Sequence, residues 1–291
     1  MNIGFKSVHP VASFIFFVAV FLLCLASENP IILFIGILGG VVYELKLKGK
    51  KALLFILKFI LPLIVLITIF NGFFNHYGVT VLFVMRNGNN FTLEALVYGF
   101  VSSLKISGML LWLNCFNEII TEDKIIFLFG RFSPRIALVI SMVLRFISLI
   151  GKQSNEIVRA EKGIGNNGEN LNFIDKVKCA SRRLSVLTSW TLEKGIDTSE
   201  SMIARGYGLK GRTSYNNYIF TLRDGIISLF SIATMVLLVI FSDKVNSSYN
   251  PVIDIPAVDT FSIGLFIFIL IVVFIPTMFD LRDERLWIIS K

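Results

Sequence analysis

Seven apolar runs, most of them close to the about 20 residues that a helix needs to cross a bilayer, leave this chain little choice of fold. They fall near 11–27, 30–45, 52–71, 93–116, 134–150, 220–242 and 260–279. Composition agrees: 55% of the 291 residues are hydrophobic, only 16% are charged, and the mean hydropathy is +0.75. A soluble domain carries about a quarter charged residues. The fold class expected is therefore all-α, a polytopic membrane protein. The formal charge of +8 then marks cytoplasmic loops rather than nucleic acid, and no interleaved basic and aromatic platform is present to bind one.

Residues 151–213 break the apolar pattern. They hold eleven Lys and Arg against seven Asp and Glu, with no run long enough to cross. This reads as a cytoplasmic insert of about three helices, near 152–163, 171–189 and 191–206. The middle one has an apolar stripe at Phe173, Val177, Ala180, Leu184 and Leu187, and the last at Leu192, Ile196, Ser199 and Ile203. Mutual packing is expected to cover at least half of the buried part of these stripes. The chain thus divides into transmembrane helices over 1–150, the insert over 151–213 and a transmembrane pair over 214–291. The lysine cluster Lys46, Lys48, Lys50 and Lys51 belongs inside, the linker 243–259 outside. Simple alternation then puts the insert on the wrong side, so one segment must depart from it: either the first pair of runs or 134–150. No cleavable leader is expected, because the first run continues directly into the second.

Chemistry is sparse. Lys105 is mid-span, Lys58, Glu94 and Arg145 lie nearer interfaces, and no carboxylate is central to a run, which argues against a proton-coupled pump. Cys24, Cys115 and Cys179 have no metal-ligand spacing and read as small filler residues. His9 and His76 have no carboxylate or Cys at ligand spacing, and no nucleophile or phosphate-loop motif occurs. No catalytic residue, metal site or cofactor is expected.

The segment SMIARGYGLKGRTSY, 201–215, ends the last insert helix. Gly206 reads either as a plain helix stop, with Arg205 a solvated cation at the C-terminal dipole, or as part of a docking tip. In a tip, Ala204 and Gly206 permit close approach and the Arg205 fork binds carboxylates or carbonyls. RAEKGIG, 159–165, echoes it with Ala160, Glu161, Lys162 and Gly163 at the end of the first insert helix. Two tips suit two docking sites.

These residues carry a resemblance that runs over most of the chain. VHPVASFIFFVAVFLLCLASENPIILF, IFNGFFNHYGVTVLF, FTLEALVYGF, LVISMVLRFISLI and above all WTLEKGIDTSESMIARGYGLKGRTSY are similar to the transmembrane T component of energy-coupling factor transporters. The resemblance implies a non-catalytic subunit of the cell membrane. It would seat cytoplasmic coupling helices on two ATP-binding cassette ATPases, which bind the ATP, and would hold a small membrane-embedded S component that takes up vitamins or metal ions. It assigns Ala204, Arg205 and Gly206 to the second signature, and Ala160, Glu161, Lys162 and Gly163 to the first. There the family's Ala-Arg-Gly is replaced by Glu-Lys-Gly. Lysine keeps the charge but not the planar fork, so Arg205 is expected to be the stronger contact. Lys105 would pair with a backbone carbonyl or with the S component. The alternative is a stand-alone secondary transporter or channel, which would need internal repeats and midplane polar groups.

Overall fold

A computed structural model describes residues 4–76, 78–84, 90–164, 172–207, 218–249, 254, 256 and 259–289. The chain divides into two compact units, one formed by Met1–Ile125 with Tyr218–Lys291 and one by Ile126–Asn217. Among the described residues six helices are long and apolar enough to cross a membrane, and a seventh, Pro10–Ala26, is apolar but shorter. The protein is an all-α, multi-pass protein of the cell membrane.

The first unit contains α1 (Pro10–Ala26), α2 (Pro30–Lys48), α3 (Lys50–Phe74), α4 (Leu93–Ile119), the start of α5 (Glu122–Phe132), and further helices later in the chain. The His-Pro and Asn-Pro pairs are helix starts. His9 Nδ1 accepts from Val11 N at 3.3 Å and Asn29 Oδ1 from Ile31 N at 2.9 Å, with a proline at the first helical position each time. Within α3 a π-helical stretch, Ile56–Ile60, precedes Pro62, whose missing N–H leaves the Lys58 carbonyl without its usual partner. Between α3 and α4 a short hairpin pairs β1 (Val81–Val84) with β2 (Asn90–Thr92). Helices α8 (Leu222–Ile240), α9 (Ser242–Val245) and α10 (Thr260–Ile289) complete the unit.

Its core is aromatic. Phe5, Phe16, Phe17, Tyr43 and Trp112 are all fully buried. The Trp112 ring meets Phe16 edge-on at 5.8 Å and stacks on Tyr43 at 6.2 Å, and its Nε1–H donates to the Gly36 carbonyl at 2.9 Å. Gly39 of α2 makes room for α10: a Cβ there would overlap Val273 Cγ1. Small residues that let helix backbones approach are the usual device in lipid, where water no longer drives association. Phe34, Phe59, Phe70 and Phe74 by contrast lie exposed on the helices' outer surfaces.

The polar contacts fix which helix ends meet. At one end, Glu28 and Asn29 of the α1–α2 turn bind the segment after α8. Asn29 Nδ2 donates to Val245 O at 2.8 Å, Glu28 N to Asn246 Oδ1 at 2.9 Å, and Tyr249 Oη to Glu28 O at 2.9 Å. Lys105 reaches this end to pair with Glu28 at 3.1 Å, so its partner is a side chain of the same chain rather than a backbone carbonyl. At the other end, Phe5 N donates to Asp280 at 2.6 Å, Lys6 pairs with Glu118 at 2.9 Å, and Lys48 donates to Asn114 at 2.6 Å. Asn114 also donates to the buried Glu44. This is the lysine-rich end, which the positive-inside rule assigns to the cytoplasm.

Asp224 ties that end together. It is 3% exposed and accepts from His9 N at 3.0 Å, and from Thr221 N and Thr221 Oγ1 at 2.8 Å each, closing a capping box on α8. Lys124, 2% exposed, feels the Asp224 charge, while its Nζ has no hydrogen-bond partner among the described residues. Tyr218 rests against the His9 ring at 6.3 Å. The chain therefore leaves the first unit beside Lys124 and re-enters it at Tyr218 on the same, lysine-rich end.

Within the first unit the first two apolar runs form an ordinary helical hairpin, and α1, α2, α3, α4, α8 and α10 alternate in direction. Of the two segments suspected of departing from alternation, the first pair therefore does not; Arg135–Gly163 is, by length and composition, itself a candidate span.

In the second unit, α6 (Pro134–Gly163) runs unbroken through residue 151, and α7 (Phe173–Ala204) unbroken through 190. The expected three insert helices are thus two. The first continues the preceding apolar run, and no glycine or proline interrupts the join near 190. Most of the GIGNNGEN turn, and the Gly-Arg-Thr after the Arg205 tip, lie outside the described residues.

Burial lowers Lys124 to about 8, with Asp224 opposing that shift and Lys6 reinforcing it. An unfolded lysine holds its proton to about 10.5, so in the window between them the unfolded chain binds more protons and stability rises with pH. The expected result is a melting temperature that rises from pH 8 toward 10 more steeply in the parent than in Lys124→Met, measured on the detergent-purified chain. Parallel curves would mean that Lys124 is not buried in its charged form.

Candidate functional site

The two tips lie in the second unit and are built differently. At the end of α7, Gly206 has a φ of +81°, the left-handed conformation that a side chain disfavours. Its N–H donates to Ile203 O at 3.0 Å and the Tyr207 N–H to Met202 O at 3.0 Å, the paired bonds of a Schellman stop. The plain helix-stop reading of Gly206 therefore holds. The cap also fixes what surrounds it. Ala204 and Arg205 are exposed, between Ile203 at 68% and Tyr207 at 53% exposure, and among the described residues Arg205 forms no ion pair. A guanidinium between an aliphatic and an aromatic side chain has the composition of an interface anchor.

At the end of α6, Ile164 N caps the helix by donating to Ala160 O at 3.2 Å and Glu161 O at 3.3 Å. Gly163 stays helical, and a Cβ there would meet open space, so nothing in the backbone demands glycine. Ala160 and Lys162 are exposed, but Glu161 is half-buried and accepts from Arg183 Nε on α7. The carboxylate that replaces a small residue in this tip is thus engaged inside its own unit. Sequence spacing alone missed Arg183, which lies 22 residues away on the other helix.

That ion pair also measures the separation of the tips. Glu161 meets α7 at Arg183, and from there to Arg205 the helix climbs by roughly 30 Å at 1.5 Å per residue. The two tips can therefore present to two separate surfaces.

Between them α7 is unusually bare. None of its residues is buried, and Phe173, Val177, Leu184, Leu192, Ile196 and Ile203 are between 52% and 80% exposed. The stripes expected to be covered largely by mutual packing are instead open. The face of α7 toward α6 is the half-buried row Asp175, Cys179, Arg183 and Leu187, of which only the last belongs to a stripe. An exposed apolar surface of this kind marks an interaction site.

Buried ionisable groups that sequence reading passed over, Glu44, Lys124 and Asp224, all lie at the lysine-rich end of the first unit. The Thr-Leu-Arg-Asp spacing of a capping box was the available signal for Asp224. Glu44, at the edge of an apolar run, has no local signal. Among the described residues no group of three His, Cys, Asp or Glu could hold a metal ion.

No family model matches the chain. It is 30% identical over 104 residues to the energy-coupling factor transporter transmembrane protein EcfT of Brevibacillus brevis, and 35% identical over 107 residues to the protein of the same name from Lactobacillus helveticus. These matches cover 35% and 36% of this chain and 39% of each relative's length. The helical, multi-pass architecture agrees with such a membrane component. Over about a third of its length, then, the chain is similar to the transmembrane protein of energy-coupling factor transporters, and it spans well under half of the relatives it matches.

Proposed function

We propose that this chain is the non-catalytic transmembrane coupling subunit of an ATP-driven importer of the energy-coupling factor type. It links two ATP-binding cassette ATPases to a membrane-embedded S component that carries a vitamin or a metal ion. The chain itself needs no cofactor, because ATP is bound by the partner subunits. The observation that carries this reading is the pair of exposed cationic helix ends, set roughly 30 Å apart on two helices of one unit. The names of the relatives point the same way. A helix as long as α7 transmits a push at one end to whatever rests along its length. Movement of the ATPases at the tips is in this way delivered to the membrane part.

The tips contribute unequally. Arg205 offers a five-donor fork on a rigid cap, whereas Lys162 offers a point charge beside an already paired Glu161. Affinity isolation of the tagged chain from its native membrane should bring down two ATPase subunits and a small hydrophobic protein. Arg205→Glu should reduce ATPase recovery by roughly tenfold or more, the loss of an interface anchor. Lys162→Glu should cost only a few-fold. Equal losses would remove the asymmetry. ATPases that stay on the Arg205→Glu chain, or substrate flux through vesicles holding this chain alone, would overturn the coupling role in favour of a stand-alone transporter.

A further inference from the structure

The two halves of α7 differ in charge as well as in the direction of their stripes. Residues 173–187 hold Lys176, Lys178, Arg182 and Arg183 against Asp175; residues 188–204 hold Lys194 against Glu193, Asp197 and Glu200. At 100° per residue, Phe173, Val177 and Leu184 fall within about 40° of one another. Leu192, Ile196 and Ile203 form a second stripe turned from the first by about 100°. Both stripes are exposed, so one flat partner cannot cover them together.

We propose that the first half of α7 is a peripheral membrane site that rests on anionic phospholipid of the inner leaflet, leaving the second half and its Arg205 tip to proteins. Phe173, at 80% exposure, and Leu184, at 64%, supply the apolar face that enters the headgroup–acyl boundary. Lys176 and Lys178 are exposed and flank that face on opposite sides, where their long stems bring the ammonium groups to the level of the phosphates. Arg183, on the same side as Lys176, is held by Glu161 of α6, so the helix is braced without using the apolar face. In the second half the apolar stripe has turned by about 100° and the only added cation is Lys194, so that half offers the same surface neither an apolar face nor a net positive charge. The chemistry recognised is a phosphate-bearing, net negative lipid headgroup over an acyl interior.

The test uses the full chain in vesicles, with no ATPase present, so its failure is separate from failure of the coupling role. Cys179→Ser removes the one native cysteine that is not buried. A fluorophore is then placed at Val177→Cys or at Ile196→Cys, and nitroxide-labelled acyl chains serve as quencher. In phosphatidylcholine mixed with phosphatidylglycerol, the label at 177 should be quenched strongly and that at 196 weakly. Phosphatidylcholine alone, or Lys176→Glu with Lys178→Glu, should lower the membrane-contacting fraction at 177 by roughly tenfold. Equal quenching at the two positions overturns the proposal, as does contact at 177 that ignores both lipid charge and the double substitution. A label at 177 that is protected only after the partner subunits are added assigns the stripe to a protein instead.

Discussion

Replacing Asp224 with alanine should destabilise the detergent-purified chain by roughly 3–5 kcal/mol, the cost of leaving a buried charge uncompensated. Three donors lose their acceptor at once: His9 N at the start of α1, and Thr221 N and Oγ1 at the start of α8. The buried Lys124 ammonium loses a negative charge that supports it. Asp224→Asn separates these effects, because the amide oxygen can still accept from one of the donors while the charge is gone. It should recover part of the loss and leave Lys124 titrating lower than in the parent. The check is thermal unfolding of the three proteins at neutral pH. A melting temperature for Asp224→Ala equal to the parent's would show that the two chain passages are held by the apolar core alone. Because both passages to the second unit lie beside this carboxylate, the loss should also loosen the segments around Lys124 and Tyr218, read as faster proteolysis there.

Trp112→Ala should cost roughly 3 kcal/mol, the lower end of the range for deleting a buried aromatic ring. The lower end applies because helices separated in lipid or detergent stay in an apolar medium. The cavity and the lost ring contacts remain in the account, while the transfer from water largely drops out. Trp112 joins its own helix α4 to α1 and α2. It stacks on Tyr43 of α2, meets Phe16 and Phe17 of α1, and lies where a Cβ on Gly39 would come within 3.7 Å of its ring, on the side where α10 packs. Trp112→Phe should keep most of the stability and lose chiefly the hydrogen bond to Gly36 O, about 1 kcal/mol. If alanine and phenylalanine proved equally harmful, the indole N–H rather than the ring volume would be what holds α2 to α4.

Much of this molecule was legible before its structure. The apolar runs specified the helices because crossing a bilayer demands length and hydropathy, both of which are local properties of a sequence. Gly206 marked a helix end, because capping is decided within a few residues; the starts at His9-Pro10 and Asn29-Pro30 are equally local. The Arg205 tip was visible for the same reason.

Other features depended on distance. Lys105 looked like a mid-membrane charge in search of an outside partner until Glu28, 77 residues away, proved to reach it. Glu161 looked like an altered docking residue until Arg183 took it up. The break expected near residue 190 was a change in the direction of the apolar stripe, which a single straight helix carries without interruption. The same holds for Asp224, whose local capping box was readable but whose bond to His9 spans 215 residues. Sequence by itself thus determined the membrane class, the apolar helices and the cationic residues at the helix ends, all set by short-range physics. Only the tertiary structure decided the alternation of the spans within the first unit, the joining of the insert helices, the identity of the buried charge pairs and the openness of α7. Each of these depends on which residues meet across long separations, and burial and pairing, unlike capping or hydropathy, are properties of that meeting.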